Sequence, residues 1–194
     1  MSVEEVLGRL QRNAAFMENV SAWERMPARL AHHAPFPARL NPALIEVLEE
    51  HGTAPLYTHQ AEAVEAALSG RSVVVETGTA SGKTLCYTLP VLQTMLDKPD
   101  SRALYLFPTK ALAQDQAAAL AGFLGSLRNA RIPVFTYDGD TARSMRRQAR
   151  DEARILITNP DMLHLGILPH HPRWVDFLEN LQWVVLDELH VYRG

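Results

Sequence analysis

The sequence predicts an α/β fold, a doubly wound parallel sheet with a helical extension at its N-terminal side. Three observations carry that expectation. Apolar runs alternate with helical patterns from residue 72 onward. The runs are continuous and do not alternate with polar residues, as in strands covered on both faces. Each run then passes directly into a polar or glycine-bearing cluster, which in an open α/β sheet falls along one edge.

In chain order, "MSVEEVLGRLQRN" sets Val3, Val6, Leu7 and Leu10 at helical spacing among charges, so residues 1 to about 26 read as surface helix and not as a secretory signal. Pro27, Pro35, Pro37 and Pro42 punctuate a connector, which divides the chain into an extension at 1–40 and a domain at 41–194. "NPALIEVLEEHG" predicts a short helix with Asn41 as cap, Pro42 at the first helical position and Gly52 beyond the end. "THQAEAVEAALSG" repeats the pattern, with Thr58 as cap and Gly70 as stop.

"SVVVET" is then expected as a strand, "GKTLCYTLPVLQTML" as a helix and "RALYLFP" as a strand. "KALAQDQAAALAGFLGSL" follows as a helix with Leu112, Gln116, Leu120, Phe123 and Leu127 along one side. "PVFTYDG", a helix through Arg143 to Arg150, "RILITNP" and "LQWVVLDE" complete the series. The clusters ending the five strands are Thr77-Gly78, Pro108-Thr109-Lys110, Asp138-Gly139-Asp140, Thr158-Asn159-Pro160 and Asp187-Glu188.

Composition narrows the class. At 47% hydrophobic the chain can build a sizeable core, yet no run approaches the roughly 18 apolar residues of a membrane span. A single cysteine, Cys86, excludes an internal disulfide and a cysteine-cluster metal site, and the chain reads as a soluble cytoplasmic protein. The net charge of −3 supplies no global field for nucleic acid, so any such binding must come from local patches and backbone donors. His32-His33 and His170-His171 lack metal-site spacing and read as structural.

"VVVETGTASGKTLCY" sets a small-residue loop, Thr77-Gly78-Thr79-Ala80-Ser81-Gly82-Lys83-Thr84, between strand and helix. In that context successive N–H groups and the helix N-terminus surround phosphate oxygens. Lys83 supplies charge to the β- and γ-phosphates, and the Thr84 hydroxyl is placed for Mg2+. Thr77 stands where G-x-x-x-x-G-K-S/T asks for glycine. In "WVVLDELH", Asp187 at a strand end can hold the metal, and Glu188 can orient and deprotonate an attacking water. The implied chemistry is Mg2+-dependent ATP hydrolysis. Arg143, Arg146, Arg147 and Arg150 form one basic stripe, read either as a phosphate-facing rail or as a solvated face partnered by Asp151 and Glu152.

"TGTASGKT", "FPTKALAQDQ", "YDGDT", "TNPDMLH" and "LDELH" resemble, in that order, motifs I, Ia, Ic, Ib and II of superfamily 2 helicases of the DEAD/DEAH type. Their wording, with "DELHVYRG", is most similar to the mitomycin-repair group of RecQ-like DNA helicases, over about residues 30 to 194. The resemblance implies a P-loop, RecA-like first lobe and ATP with Mg2+ as cofactors. It implies that Gln60 in "LYTHQ" contacts the adenine edge with Tyr57 stacking, and that His190 couples the ATP site to the motor. It implies a single-stranded nucleic acid, most readily DNA, held mainly through its backbone by Pro108, Thr109, Lys110, Gly139, Asp140, Thr158, Asn159 and Pro160.

Helicases of this superfamily close a second RecA-like lobe, with its arginine finger, onto the nucleotide. By the resemblance the chain ends before that lobe and before motif III, whose strand lies between the 72–77 and Asp187 strands. The expectation is an incomplete first lobe with a gap in its sheet and negligible ATP hydrolysis by itself. The leading reading is thus the ATP-binding lobe of an ATP-dependent DNA helicase or translocase acting in repair. The alternatives are an RNA helicase, a non-catalytic nucleic-acid-binding module of the same fold, and an unrelated P-loop enzyme such as a small-molecule kinase.

Overall fold

The computed structural model describes residues 1–27, 30–78, 81–128 and 130–192, in two compact units, Met1–Ala31 and His32–Gly194. In the first unit, α1 (Val3–Arg12) opens in a reciprocal cap: the Ser2 hydroxyl accepts from the Glu5 N–H, and the Glu5 carboxylate accepts from the Ser2 N–H. The helix expected to run to about residue 26 stops at Asn13, whose backbone is extended. The Asn13 side chain instead caps the short α2 (Ala14–Met17), and 20–27 are not helical. A short polar side chain that can bond its own neighbourhood favours such a break.

In the second unit, β1 (His33–Ala34) pairs antiparallel with β2 (Leu56–Tyr57). Residues 32–40 pack within this unit, and Leu40 joins its core. The helix α3 (Pro42–Glu50) begins as its sequence directs, with the Asn41 side chain accepting from the Ala43 N–H at 2.9 Å. In α4 (Thr58–Leu68) the cap differs from expectation: Tyr57 holds that position and Thr58 is already helical. Pairing of β2 with β1 keeps Tyr57 extended, and the Tyr57 N–H donates to Gln60 Oε1 at 2.9 Å.

The rest runs α5 (Lys83–Asp97), β3 (Arg102–Leu106), α6 (Lys110–Ser126), β4 (Val134–Thr136), α7 (Arg143–Glu152), β5 (Ile155–Thr158) and α8 (Pro160–Met162). A π turn (Leu163–Ile167), a 3-10 segment (Leu168–Arg173), α9 (Val175–Glu179) and β6 (Leu181–Leu186) follow. The four strands form one parallel sheet in the order β4-β5-β3-β6. Ala103 and Tyr105 of β3 enter one core with Leu44, Leu89 and Ile157, whereas Leu104 and Leu106 enter the opposite core with Trp174 and Phe177. Burial on both faces is the reason the inner strands β3 and β5 lack polar alternation.

One expected strand is absent. Residues 71–78 form no ladder, and Val74 is 83% exposed. Beside β3, β6 is an edge of the sheet among the described residues, with Val184 and Leu186 exposed. An apolar run becomes a strand only where a neighbour offers its N–H and C=O groups. Among the described residues no helix is long and apolar enough to cross a membrane.

Candidate nucleotide and nucleic-acid site

Parallel pairing brings the ends of β3, β4, β5 and β6 to one edge, and α5 starts from the small-residue loop. Gly82 holds the N-cap of α5 at φ +75°, a conformation that favours glycine. A Cβ there would collide with Gln60 Nε2. The buried Gln60 explains that closeness: its Nε2 donates to Gly82 O at 2.9 Å while its Oε1 accepts from Tyr57. One donor and one lone pair of the amide remain for a base edge.

Across the loop, Lys83 Nζ donates to Thr77 O at 3.1 Å and to Gly78 O at 3.0 Å, and the Thr77 and Ser81 hydroxyls lie 2.6 Å apart. Thr77, the departure from glycine, therefore bridges the loop with its hydroxyl. Thr79 and Ala80 lie outside the described residues. The Tyr57 ring stacks on His59 and His33, with centroids 5.7 and 5.1 Å apart, so it already has ring neighbours.

Asp187 follows β6, its backbone N–H donating to Leu106 O at 3.1 Å. Its Oδ1 accepts from the Glu188 N–H at 2.9 Å. Its Oδ2 lies 3.2 Å from the Tyr87 hydroxyl, which is also 3.4 Å from Gln116 Oε1. One hydroxyl proton serves one acceptor at a time, and the carboxylate is the nearer and the stronger. Burial pushes the Tyr87 hydroxyl far above its ordinary pKa, and the Asp187 charge adds to this, so it stays a donor. Sequence reading missed Tyr87. Its only signal is its place three residues after Thr84, on the same face of α5.

Glu188 sits at φ 50°, left-handed for a non-glycine residue. Glu188 Oε2 lies 3.3 Å from His190 Nδ1. Thr84 and Asp187 are hard oxygen donors of the kind Mg2+ takes, and each Asp187 oxygen keeps a lone pair after its hydrogen bond, so the donor set fits that ion.

Along the other strand ends, the Thr109 hydroxyl caps α6 by accepting from Leu112 N–H, and Asn159 caps α8 by accepting from Met162 N–H. Pro160 opens α8, and Pro108 is half-buried ahead of the exposed Thr109 and Lys110. Lys110 pairs with Asp140, and this bond holds its ammonium above its usual pKa. Gly139, between Asp138 and Asp140, is exposed. Thr158 departs from the expected phosphate donor. Its side chain is buried and its hydroxyl donates to Tyr137 O at 2.6 Å, because β5 is an inner strand whose end is covered by the β4 loop.

A small-residue loop leading into the N-terminus of one helix, with an acid pair at the end of a strand on the same sheet edge, defines a P-loop, RecA-like lobe. Residues 57–194 match the DEAD/DEAH box helicase family, and the chain belongs to it. It is 47% identical, over its whole length, to the uncharacterized ATP-dependent helicase YprA of Bacillus subtilis, covering 25% of that protein. It is 37% identical to the ATP-dependent helicase HRQ1 of Saccharomyces cerevisiae, again over its whole length and 18% of the relative. The DUF1998 helicase MrfA bound to DNA and AMPPNP superposes with a TM-score of 0.91 at 46% identity, over all of this chain and 27% of that one. The chain thus spans a quarter or less of the curated relatives named here.

Proposed function

We propose that this chain is the ATP-binding lobe of an ATP-dependent DNA helicase or translocase acting in DNA repair in the cytoplasm. It couples Mg-ATP hydrolysis to movement along single-stranded nucleic acid. One observation carries the reading: α5 holds both the phosphate cradle at Gly82-Lys83-Thr84 and the hydroxyl that steadies Asp187, so phosphate and metal ligands share one rigid element.

The loop amides and the N-terminus of α5 receive the triphosphate, and Gln60 fixes Gly82 in the conformation that permits it. Lys83 exchanges its two loop carbonyls for phosphate oxygens. Thr84 and Asp187 would hold Mg2+, which would neutralise charge at the phosphates. Glu188, the next residue along the chain, orients and deprotonates the attacking water. Lys110, the Gly139 N–H and the caps at Thr109 and Asn159 position a strand by its backbone. DNA is favoured because MrfA, to which the chain is similar, was solved on DNA. A reducing cytoplasm accords with the single free, buried Cys86.

The test is nucleotide titration of the whole protein. Lys83→Ala is expected to abolish Mg-ATP uptake, and equal uptake by that variant overturns the proposal. Turnover stimulated by RNA and not by DNA moves it to an RNA helicase. Mg-ATP uptake without turnover on either nucleic acid moves it to a non-catalytic module.

A further inference from the structure

On the β4 side of the sheet, away from the nucleotide loop, α7 and the 3-10 segment Leu168–Arg173 flank an open cavity of about 570 Å³. Arg143, Arg146, Arg147 and Arg150 of α7 line one wall, and His170 and Arg173 line the opposite one. Five guanidinium groups converge there. The ion pairs to these arginines, among the described residues, go to Asp151 alone: Arg150 at 2.7 Å and Arg147 at a loose 4.0 Å. Arg143 and Arg173 have no carboxylate partner among them.

The arginines divide by role. Arg146 is structural: it donates to Thr141 O at 2.8 Å, Gly139 O at 3.0 Å and Asp138 O at 3.2 Å, and lies 5.6 Å over the Tyr137 ring. Arg150 is bound to Asp151 through two hydrogen bonds. Arg143, Arg147 and Arg173 are exposed and are left to face a ligand. The floor is rigid and apolar, since Tyr137 and Trp174 are both buried and meet edge to face with centroids 5.1 Å apart. Like charges gathered over an apolar floor repel one another unless an anion joins them, and forked guanidiniums suit phosphate.

We propose that this cavity is a second phosphate-binding site, taking the backbone of the nucleic-acid strand beyond the loops that carry the motif residues. Continuity selects nucleic acid over a small anion. Arg146 ties the cavity wall to the Asp138-Gly139 loop, and Met162, which lines the cavity, closes α8 two residues after Pro160. A strand crossing both loops runs on into the cavity. The proposal rests on the nucleic-acid reading above and extends its footprint by one arginine-lined step.

The test measures anisotropy of labelled single-stranded DNA against salt, using the full chain, with Arg143, Arg147 and Arg173 all changed to Gln or all to Lys. These side chains are exposed, so thermal melting of both variants should match the unaltered chain. Each lost phosphate contact lowers the log–log salt slope by about 0.7, so the Gln variant should lose about 2 and the Lys variant little. An unchanged slope in the Gln variant overturns this proposal alone. Absence of any nucleic-acid binding by the unaltered chain overturns this and the parent reading together. If inorganic phosphate raises the melting temperature of the unaltered chain but not of the Gln variant while the slopes agree, the cavity serves free phosphate and the nucleic-acid assignment fails.

Discussion

Replacing Gly82 with Ala strains two things at once, and the structure separates them. The residue is at φ +75°, where an L-side chain costs roughly 1–2 kcal/mol. The new Cβ would also collide with Gln60 Nε2, so the buried amide must leave its place. That breaks its bonds to Gly82 O and Tyr57 N–H, both 2.9 Å, at about 0.5–1.5 kcal/mol each. The sum is roughly 2–5 kcal/mol. With a urea dependence of about 2 kcal/mol/M, the unfolding midpoint should fall by about 1–2.5 M. Gln60→Ala loses the same two bonds but carries no strain. In the double variant the clash is gone, so Gly82→Ala should then cost only the backbone strain. The cycle should return a coupling of roughly 1–3 kcal/mol. Additive costs would refute the argument that Gln60 and Gly82 form one unit.

Two further outcomes follow from the same coordinates. Tyr87→Phe removes the hydroxyl 3.2 Å from Asp187 while leaving the ring packed edge-on against Tyr105. The Mg2+ concentration for half-maximal nucleotide uptake by the whole protein should rise about tenfold, the equivalent of one charge-assisted hydrogen bond, with the melting temperature nearly unchanged. An unchanged Mg2+ requirement removes Tyr87 from the site. Burial pushes the Cys86 thiol up to about 11, so at pH 8 it stays protonated when folded and is largely shielded. Iodoacetamide labelling at pH 8 should be slow in buffer and rise sharply in urea as the ordinary thiol pKa returns. Equal rates in the two conditions contradict that burial.

Much of the site was legible because it depends on short-range chemistry. Loop, helix start, the cap at Asn41 and the strand-terminal acids each follow from a few neighbouring residues. The arginine stripe was also legible as a stripe. Its division into Arg146, turned onto the loop carbonyls, and the outward Arg143 and Arg147 was not, nor was the facing wall of His170 and Arg173. Those walls belong to segments separated in sequence, and no periodicity within one helix encodes the other. Thr158 shows the opposite error: a residue type suited to phosphate was spent on a neighbouring carbonyl once β4 covered the strand end.

Sequence alone determined the helices α3 to α7, the four strands of the parallel sheet and the chemical types at its edge. Backbone propensity, capping and apolar patterning act over a few residues and are written there. Tertiary structure decided that 71–78 would carry no ladder, that Gln60 would pin Gly82, and that Tyr87 would reach Asp187 across 100 positions. Pairing and side-chain hydrogen bonds need a partner in space. The identity of that partner is a property of the folded chain and not of any window along it.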